Sequence, residues 1–224
     1  MPRFFIVDLF AGTRSVSRLL ARAAAADGYD VRVFSADIHP RFNTTATVDI
    51  LKWPYRKDLT FFLRHRRARD VVWVHASPPC TEYSRAKTTA PRNLRLADSL
   101  VRRAVHIRRF VRPTFWTLEN PVGLLHTRPF MSPLDKYKRL VSYCRYGTEY
   151  RKDTHIWTNV DFEPRVCRVD TPCSRKASHG YHGVTAQNGP SSEDRVSGSS
   201  RGLNVYHLPT RLCRTIYREA IAVL

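Results

Sequence analysis

The segment 71–80, VVWVHASPPC, limits the fold of this chain more than any other feature. Its first six residues form a mostly apolar, valine-rich run that is typical of a buried strand in a parallel sheet. Pro78 and Pro79 cannot continue a hydrogen-bonded ladder and fix φ, so Cys80 lies on a stiff loop at the carboxyl end of the strand. Ligands of open α/β sheets gather at that edge, and a rigidly held thiol there suits covalent catalysis. A buried structural cysteine in a proline-rich turn is the alternative.

Strand and helix patterns alternate through the first two-thirds of the chain. Apolar runs and helical spacing predict strands over 4–9, 31–36, 45–48, 71–76 and 115–118 and helices over 15–28, 55–67 and 94–107. This alternation predicts an α/β fold with a doubly wound, mostly parallel sheet. A later strand pair is expected at 141–146 and 154–158, and Pro209 is expected to begin a closing helix.

We expect one main domain with a small appendage. Residues 1–159 carry the alternation of strands and helices, whereas 160–203 show little periodicity and predict a small irregular insert. Within the insert, 186–202 are polar enough for a mobile loop. Residues 204–224 are expected to return to the first domain as a helix.

The charge composition indicates a polyanionic partner. Lys and Arg together number 38 against 19 for Asp and Glu, which gives a formal net charge of +19. These positive charges repel one another in a compact chain, and they favour a nucleic acid as the binding partner. The alternative is that a basic surface serves only to keep the protein soluble. Because no apolar run approaches the roughly 20 residues of a membrane-spanning helix, we expect no membrane association.

Five cysteines are spread widely along the chain, and the residues before the first strand are too few for a signal peptide. We therefore expect free thiols in an intracellular, reducing compartment (cytoplasm or nucleus), and a monomer. Cys144, Cys167 and Cys173 with His179 and His182 could form a zinc knot, but their spacing matches no tight Cys-x2-Cys signature. Ordinary loop thiols and histidines are the favoured interpretation, so no metal is expected.

Acidic residues mark the first three predicted strands, beside a glycine turn. Asp8 belongs to the run 8–13, DLFAGT, in which Gly12 permits a tight turn before the first helix. Asp37 ends the second strand, where an acid can accept hydrogen bonds from ribose hydroxyls. Asp49 ends the third strand and is placed for an adenine amino group. The three acids in this order predict a nucleoside-binding site.

With Pro79-Cys80 and Glu119-Asn120-Pro121 added, the chain resembles the cytosine-C5 DNA methyltransferases over residues 4–158. The resemblance implies a Rossmann-like fold that binds S-adenosylmethionine (AdoMet) and methylates cytosine C5 in DNA. It assigns cofactor binding to residues at the first three strand ends and in the cysteine loop, namely Asp8, Phe10, Ala11, Gly12, Thr13, Asp37, Ile38, Asp49, Ile50 and Pro79.

The resemblance also implies a covalent mechanism on a base that is flipped out of the duplex. Cys80 supplies a thiolate that adds to cytosine C6, and Glu119 contacts N3 and the exocyclic amine, for which it is protonated at least transiently. Asn120 positions the loop, and Lys152 or Arg151 contacts the base carbonyl. The alternative for Glu119 is a buried acid that pairs with an arginine.

Several positions depart from the family pattern. Arg14 and Ser15 stand where the first motif continues with glycines, and Lys152 and Thr154 stand where two arginines are usual. The Gly-Asn motif near the carboxyl terminus is absent, as in compact members resembling those of phages and large viruses. Residues 160–203 are too few for a conventional target-recognition domain. We therefore expect short or relaxed sequence specificity, with phosphate contacts supplying most of the affinity.

Two other functions stay open at this point. One is an RNA cytosine-C5 methyltransferase, because the motifs do not distinguish ribose from deoxyribose. The other is a non-catalytic DNA-binding descendant of the fold, which the altered glycine turn and Thr154 favour. The presence of both Cys80 and Glu119 argues against that second alternative.

Overall fold

The computed structural model describes residues 1–168, 170, 173, 182 and 207–224 of the chain. Within these residues the strands are β1 Arg3–Leu9, β2 Asp30–Asp37, β3 Ala46–Thr47, β4 Val71–Ala76, β5 Phe115–Pro121, β6 Lys138–Ser142 and β7 Asp153–Thr158. The α-helices are α1 Ser15–Ala26, α2 Tyr55–Leu63, α3 Leu94–Val111 and α4 Thr210–Ile221. Two 3-10 segments, Leu125–Thr127 and Pro129–Tyr137, connect β5 to β6.

The seven strands form one sheet in the order β3-β2-β1-β4-β5-β7-β6. Strands β1 to β5 are parallel, whereas β7 runs antiparallel to both β5 and β6. The chain builds outward from β1 through β2 to β3, then returns to place β4 on the other side of β1. The predicted doubly wound, mostly parallel sheet of Rossmann-like type is confirmed.

Alternating side chains of β1 divide the core into two apolar layers. Phe4 and Ile6 pack on the side of α1 and α4, and Phe5 and Val7 pack on the side of α2 and α3. This division follows from the two-residue period of a strand, since neighbouring side chains point to opposite faces of the sheet. Both faces are covered, which explains why β1 and β4 appear in the sequence as continuous apolar runs.

The later strand pair differs from the prediction at its first strand. β6 covers Lys138–Ser142, and Tyr143–Tyr146 form a 3-10 turn where the sequence predicts extended backbone. The turn ends at Gly147, whose φ of +96° reverses the chain direction. Its buried aromatic residues gave the segment the composition of a strand, but they pack against the layer that contains α4.

The beginning of the predicted insert packs on the sheet domain. Val160 and Phe162 are buried in the layer that contains α1 and α4. Ser142 N donates to Arg165 O at 3.0 Å, so this stretch runs beside the end of β6. The loop predicted at 186–202 and the residue His179 lie outside the described residues.

Candidate active site

The carboxyl ends of β1 and β4 lie side by side, at the point where the strand order reverses. Leu9 is opposite Ala76, and Ser77 N donates to Leu9 O at 3.3 Å. Open α/β sheets bind their ligands in the crevice at such a reversal. The turn after β1 and the loop that carries Cys80 therefore border the same crevice.

The turn after β1 has an unusual backbone. Phe10, Gly12 and Arg14 all adopt positive φ, at 57°, 48° and 58°. A Cβ atom at Gly12 would meet nothing within 4 Å, so open space lies beside this residue. Asp8 lies beneath the turn and is 1% exposed, and burial raises the pKa of its carboxyl to about 7 while hydrogen bonds from Ser17 oppose the shift.

The end of β2 is tied to this turn, and β3 pairs with that end of β2. The Asp37 carboxylate accepts hydrogen bonds from Gly12 N and His39 N, both at 2.9 Å. Ile38 follows and leaves 58% of its surface exposed, whereas Ile50, beyond β3, is buried. Asp49 Oδ1 accepts from Leu51 N at 3.0 Å. The predicted acids and Ile38 thus lie at the same sheet edge as the open side of Gly12.

The Cys80 loop, residues 77–84, is held from two sides. Asn120 Nδ2 on β5 donates to Pro78 O at 3.0 Å, and this contact is buried. Tyr83 is fully buried, its backbone N donates to Cys80 O, and its Oη donates to Asp98 on α3 at 2.9 Å. Pro79 is exposed and Cys80 is half-buried. The loop therefore presents its thiol from a fixed backbone.

Glycine at position 123 permits a close approach between the loops that follow β4 and β5. Leu124 N donates to Tyr83 O at 2.9 Å. A Cβ atom at Gly123 would overlap the same Tyr83 carbonyl oxygen. The two loops are therefore packed backbone to backbone at the end of the sheet.

Glu119 on β5 is buried and has two partners. Tyr143 Oη donates to Glu119 Oε1 at 3.0 Å, and Lys152 Nζ lies 3.6 Å from the same oxygen. The Lys152 ammonium also lies 4.9 Å from the centre of the Tyr143 ring. Burial, and after it the charge of Glu119, raise the pKa of the Cys80 thiol, while the charge of Lys152 opposes them. The thiol, the carboxylate and the ammonium thus lie within electrostatic reach of one another.

No family model matches the chain. Over 183 residues it is 31% identical to a protein of Frog virus 3 (isolate Goorha) named probable DNA (cytosine-5)-methyltransferase. That match covers 75% of this chain and 77% of the viral protein. The chain belongs to the DNA (cytosine-5)-methyltransferase family. As a methyltransferase of this family, it carries the predicted cysteine on the loop after β4 and the predicted glutamate on β5, the parallel neighbour of β4.

The predicted catalytic residues of the methyltransferase fall into two groups in the structure. Cys80, Glu119 and Lys152 share one electrostatic environment, and Asn120 contacts the cysteine loop. Arg151 forms an ion pair with Asp153, with Nη2 and Oδ2 2.7 Å apart.

Two residues at the site were not assigned a role from the sequence. Tyr143 was predicted only as part of a strand, and its contact with Glu119 depends on the antiparallel return of β7 beside β5. His207 lies beside the turn after β1, with its Nε2 2.6 Å from Thr13 Oγ1. It immediately precedes Leu208 and Pro209 at the start of the closing helix, in the region where the family's Gly-Asn motif is absent.

Proposed function

We propose that this protein methylates C5 of cytosine in DNA, with AdoMet as the methyl donor and a covalent bond between Cys80 Sγ and C6 of the base. The observation that carries the proposal is the shared environment of Cys80, Glu119 and Lys152 at the reversal point of the sheet. The viral relative, whose name specifies DNA and cytosine C5, supports the choice of substrate.

The residues at the ends of β1, β2 and β3 fit AdoMet. Asp37 and Asp49 offer carboxylate oxygens toward ribose hydroxyls and an adenine amino group, and exposed Ile38 offers an apolar surface for the adenine ring. The open side of Gly12 leaves room for the ligand beside the backbone. AdoMet supplies a methyl group on a sulfonium centre, which is electrophilic enough for a carbon nucleophile.

Cys80 opens the reaction by losing its proton. Its raised pKa keeps the sulfur largely as a thiol at neutral pH in the free protein. We assign the proton to Glu119, directly or through water, because neutralising that carboxylate also removes the charge that disfavours the thiolate. Glu119 passes the proton to N3 as Sγ adds to C6, and the electron pair of the C5–C6 double bond becomes available at C5.

The same residues reverse the addition after C5 has been methylated. A base removes the proton from C5, the electron pair re-forms the C5–C6 double bond, and Cys80 leaves as a thiolate. Glu119 takes back the proton from N3. Throughout, Lys152 favours the thiolate electrostatically, and the Tyr143 hydroxyl holds the carboxylate in place.

Transfer of a labelled methyl group tests the proposal. The protein is incubated with methyl-labelled AdoMet and either duplex DNA or RNA of the same sequence, and the digested nucleosides are separated. We expect label in 5-methyldeoxycytidine from DNA and none with Cys80→Ala. Label in RNA alone would move the substrate to RNA. Salt-sensitive DNA binding without any transfer would favour the non-catalytic descendant.

A further inference from the structure

Three thiols and one imidazole lie together next to the 3-10 turn that follows β6. The Sγ atoms of Cys144, Cys167 and Cys173 and a ring nitrogen of His182 all lie within 4.8 Å of one another. Cys167 Sγ and His182 Nε2 lie 3.3 Å apart. Cys144 comes from the turn between β6 and β7, and the other three come from the predicted insert at 160–203. The fold thus joins four residues that the sequence separates widely.

We propose that these four residues bind a structural zinc ion. A tetrahedral Cys3His site has zinc–sulfur and zinc–nitrogen distances of about 2.3 and 2.0 Å, so its ligand atoms lie roughly 3.5–3.8 Å apart. The spacing in this structure needs an adjustment of about 1 Å at most to reach that geometry. Soft thiolates with one imidazole select zinc over magnesium or calcium. Four protein ligands leave no open position, which is typical of structural rather than catalytic zinc.

The surroundings of the cluster hold its ligands in place. Cys167 is fully buried, and its backbone N donates to Ser142 Oγ at 2.9 Å. The same Ser142 hydroxyl donates to Asp153, which pairs with Arg151. Arg151 lies near enough to Cys167 and Cys144 to interact with them electrostatically. A guanidinium beside the cluster would offset the net negative charge of a zinc ion with three thiolates.

Zinc binding and deprotonation are coupled at this cluster. A divalent cation supplies the charge that three close thiolates otherwise lack, and the thiol protons are released to solvent as it binds.

The position of the cluster indicates which parts of the chain a zinc ion would join. Cys144 follows Tyr143, and Tyr143 N donates to Lys152 O at 3.1 Å. The turn that contributes Cys144 therefore carries one partner of Glu119, Tyr143, and its backbone is bonded to the other, Lys152. A zinc ion would fasten the insert to this turn and hold it beside the crevice. This inference does not depend on the proposed methyl transfer.

Metal content of the full-length protein tests the proposal. The protein is expressed in medium that contains zinc and is purified in chelator-free buffers that contain a reductant. Inductively coupled plasma mass spectrometry then measures the number of zinc ions per chain. We expect about one zinc ion per chain. We also expect Cys167→Ser and His182→Gln to lose it. Cys80→Ala, which removes a thiol outside the cluster, should keep the full zinc content.

Cobalt substitution gives a readout that does not need a folded variant. Replacing the metal of the wild-type protein with Co²⁺ should produce intense d–d bands and sulfur-to-cobalt charge-transfer bands, as tetrahedral thiolate sites do. A zinc-supplied wild-type protein without bound metal would overturn the proposal. A disulfide between two of the cluster cysteines in protein kept under reductant would also overturn it. So would a cobalt spectrum typical of octahedral oxygen ligands.

Discussion

The charges around the Cys80 sulfur determine how much thiolate exists before substrate binds. Burial is the largest influence and raises the pKa of the thiol, and Glu119 raises it further. Lys152 acts in the opposite direction. The thiol is therefore protected from oxidation and alkylation in the free protein, because the thiolate is the reactive form.

The rate of Cys80 alkylation should therefore rise with pH and reach half its maximum at a pH above the ordinary pKa of a cysteine thiol. Glu119→Gln removes the negative charge and should shift the midpoint downward, and Lys152→Met should shift it upward. The measurement is the rate of iodoacetamide labelling of the Cys80 peptide as a function of pH. A common midpoint for the wild-type protein and both variants would contradict this electrostatic description.

Tyr143 supplies the hydroxyl that orients Glu119, so Tyr143→Phe should lower kcat. Hydrogen bonds to charged groups contribute about 1.5–3 kcal/mol, which corresponds to a loss of roughly 10- to 160-fold in kcat if the bond is fully used in the transition state. KM for DNA should change little. Tyr146→Phe is the matched control, because Tyr146 is also buried in this turn but its Oη accepts from Arg165 N. An equal loss of kcat in both variants would indicate a purely structural role for Tyr143.

At the scale of elements, the loops after β4 and β5 depend on their backbone contact at Gly123. Gly123→Ala should lower both Tm and kcat, because the added Cβ pushes against the Tyr83 carbonyl and displaces the loop that holds Cys80. Gly28→Ala is the control, since its new Cβ meets nothing within 4 Å. It should cost about 1 kcal/mol for its positive φ and leave kcat unchanged. Thermal unfolding and initial rates give both quantities.

Elements set by local pattern were predictable, and those set by distant contacts were not. β4 has the bounds that its apolar run predicts, Val71–Ala76, because burial on both faces leaves a continuous signal. Tyr143–Tyr146 has the composition of a strand, yet it turns because Tyr143 N bonds to Lys152 O and Gly147 reverses the chain. The 3-10 segments at 125–137 have no periodic pattern to predict them.

For the whole molecule, acid sensitivity should come partly from His75. The ring is buried, with its nitrogens 2.8 Å from Thr117 Oγ1 and 2.9 Å from Ser77 Oγ, and burial lowers its pKa from 6.5 to about 4. The unfolded chain thus binds a proton between pH 6.5 and 4 that the folded protein does not. The free energy of unfolding should therefore fall as the pH drops through this window, by up to about 3 kcal/mol.

Urea unfolding between pH 7 and pH 4 measures this contribution. His75→Asn cannot titrate and should show a shallower fall in the free energy of unfolding than the wild-type protein. His39→Asn replaces an exposed histidine and is the control, for which we expect the wild-type slope. The same slope in His75→Asn would show that the acid sensitivity comes from other groups.

The net charge of +19 should make DNA binding strongly dependent on salt. The logarithm of the association constant should fall linearly with the logarithm of salt concentration, by about 0.9 for each phosphate contact. Fluorescence anisotropy with a labelled duplex measures the slope, and unrelated duplexes should give similar values. Affinity that is independent of salt would contradict a phosphate-dominated interface.

None of the helices among the described residues combines the length and apolar character that crossing a bilayer requires.

At the scale of the whole molecule, the position of the site in the fold was predictable from the sequence, but the contacts that support the site were not. Parallel strands bring Asp37, Cys80 and Glu119 to one edge of the sheet, so their order in the chain sufficed to predict a common crevice. Tyr143, His207 and the cysteine cluster reach their partners through turns and loops whose course no local pattern specifies. That is why the spacing of the cysteines gave no sign that the fold brings three of them together with His182.

A trapped covalent complex tests the central mechanism most directly. Fluorine at C5 of cytosine replaces the proton that must leave before Cys80 can depart, so a duplex with 5-fluorocytosine should hold the enzyme after AdoMet is added. We predict a denaturation-resistant complex whose protease digest carries the modified base on Cys80, and none with Cys80→Ala. A protein that methylates DNA but forms no such complex, or that carries the base on another residue, would contradict the assignment of Cys80 as the nucleophile.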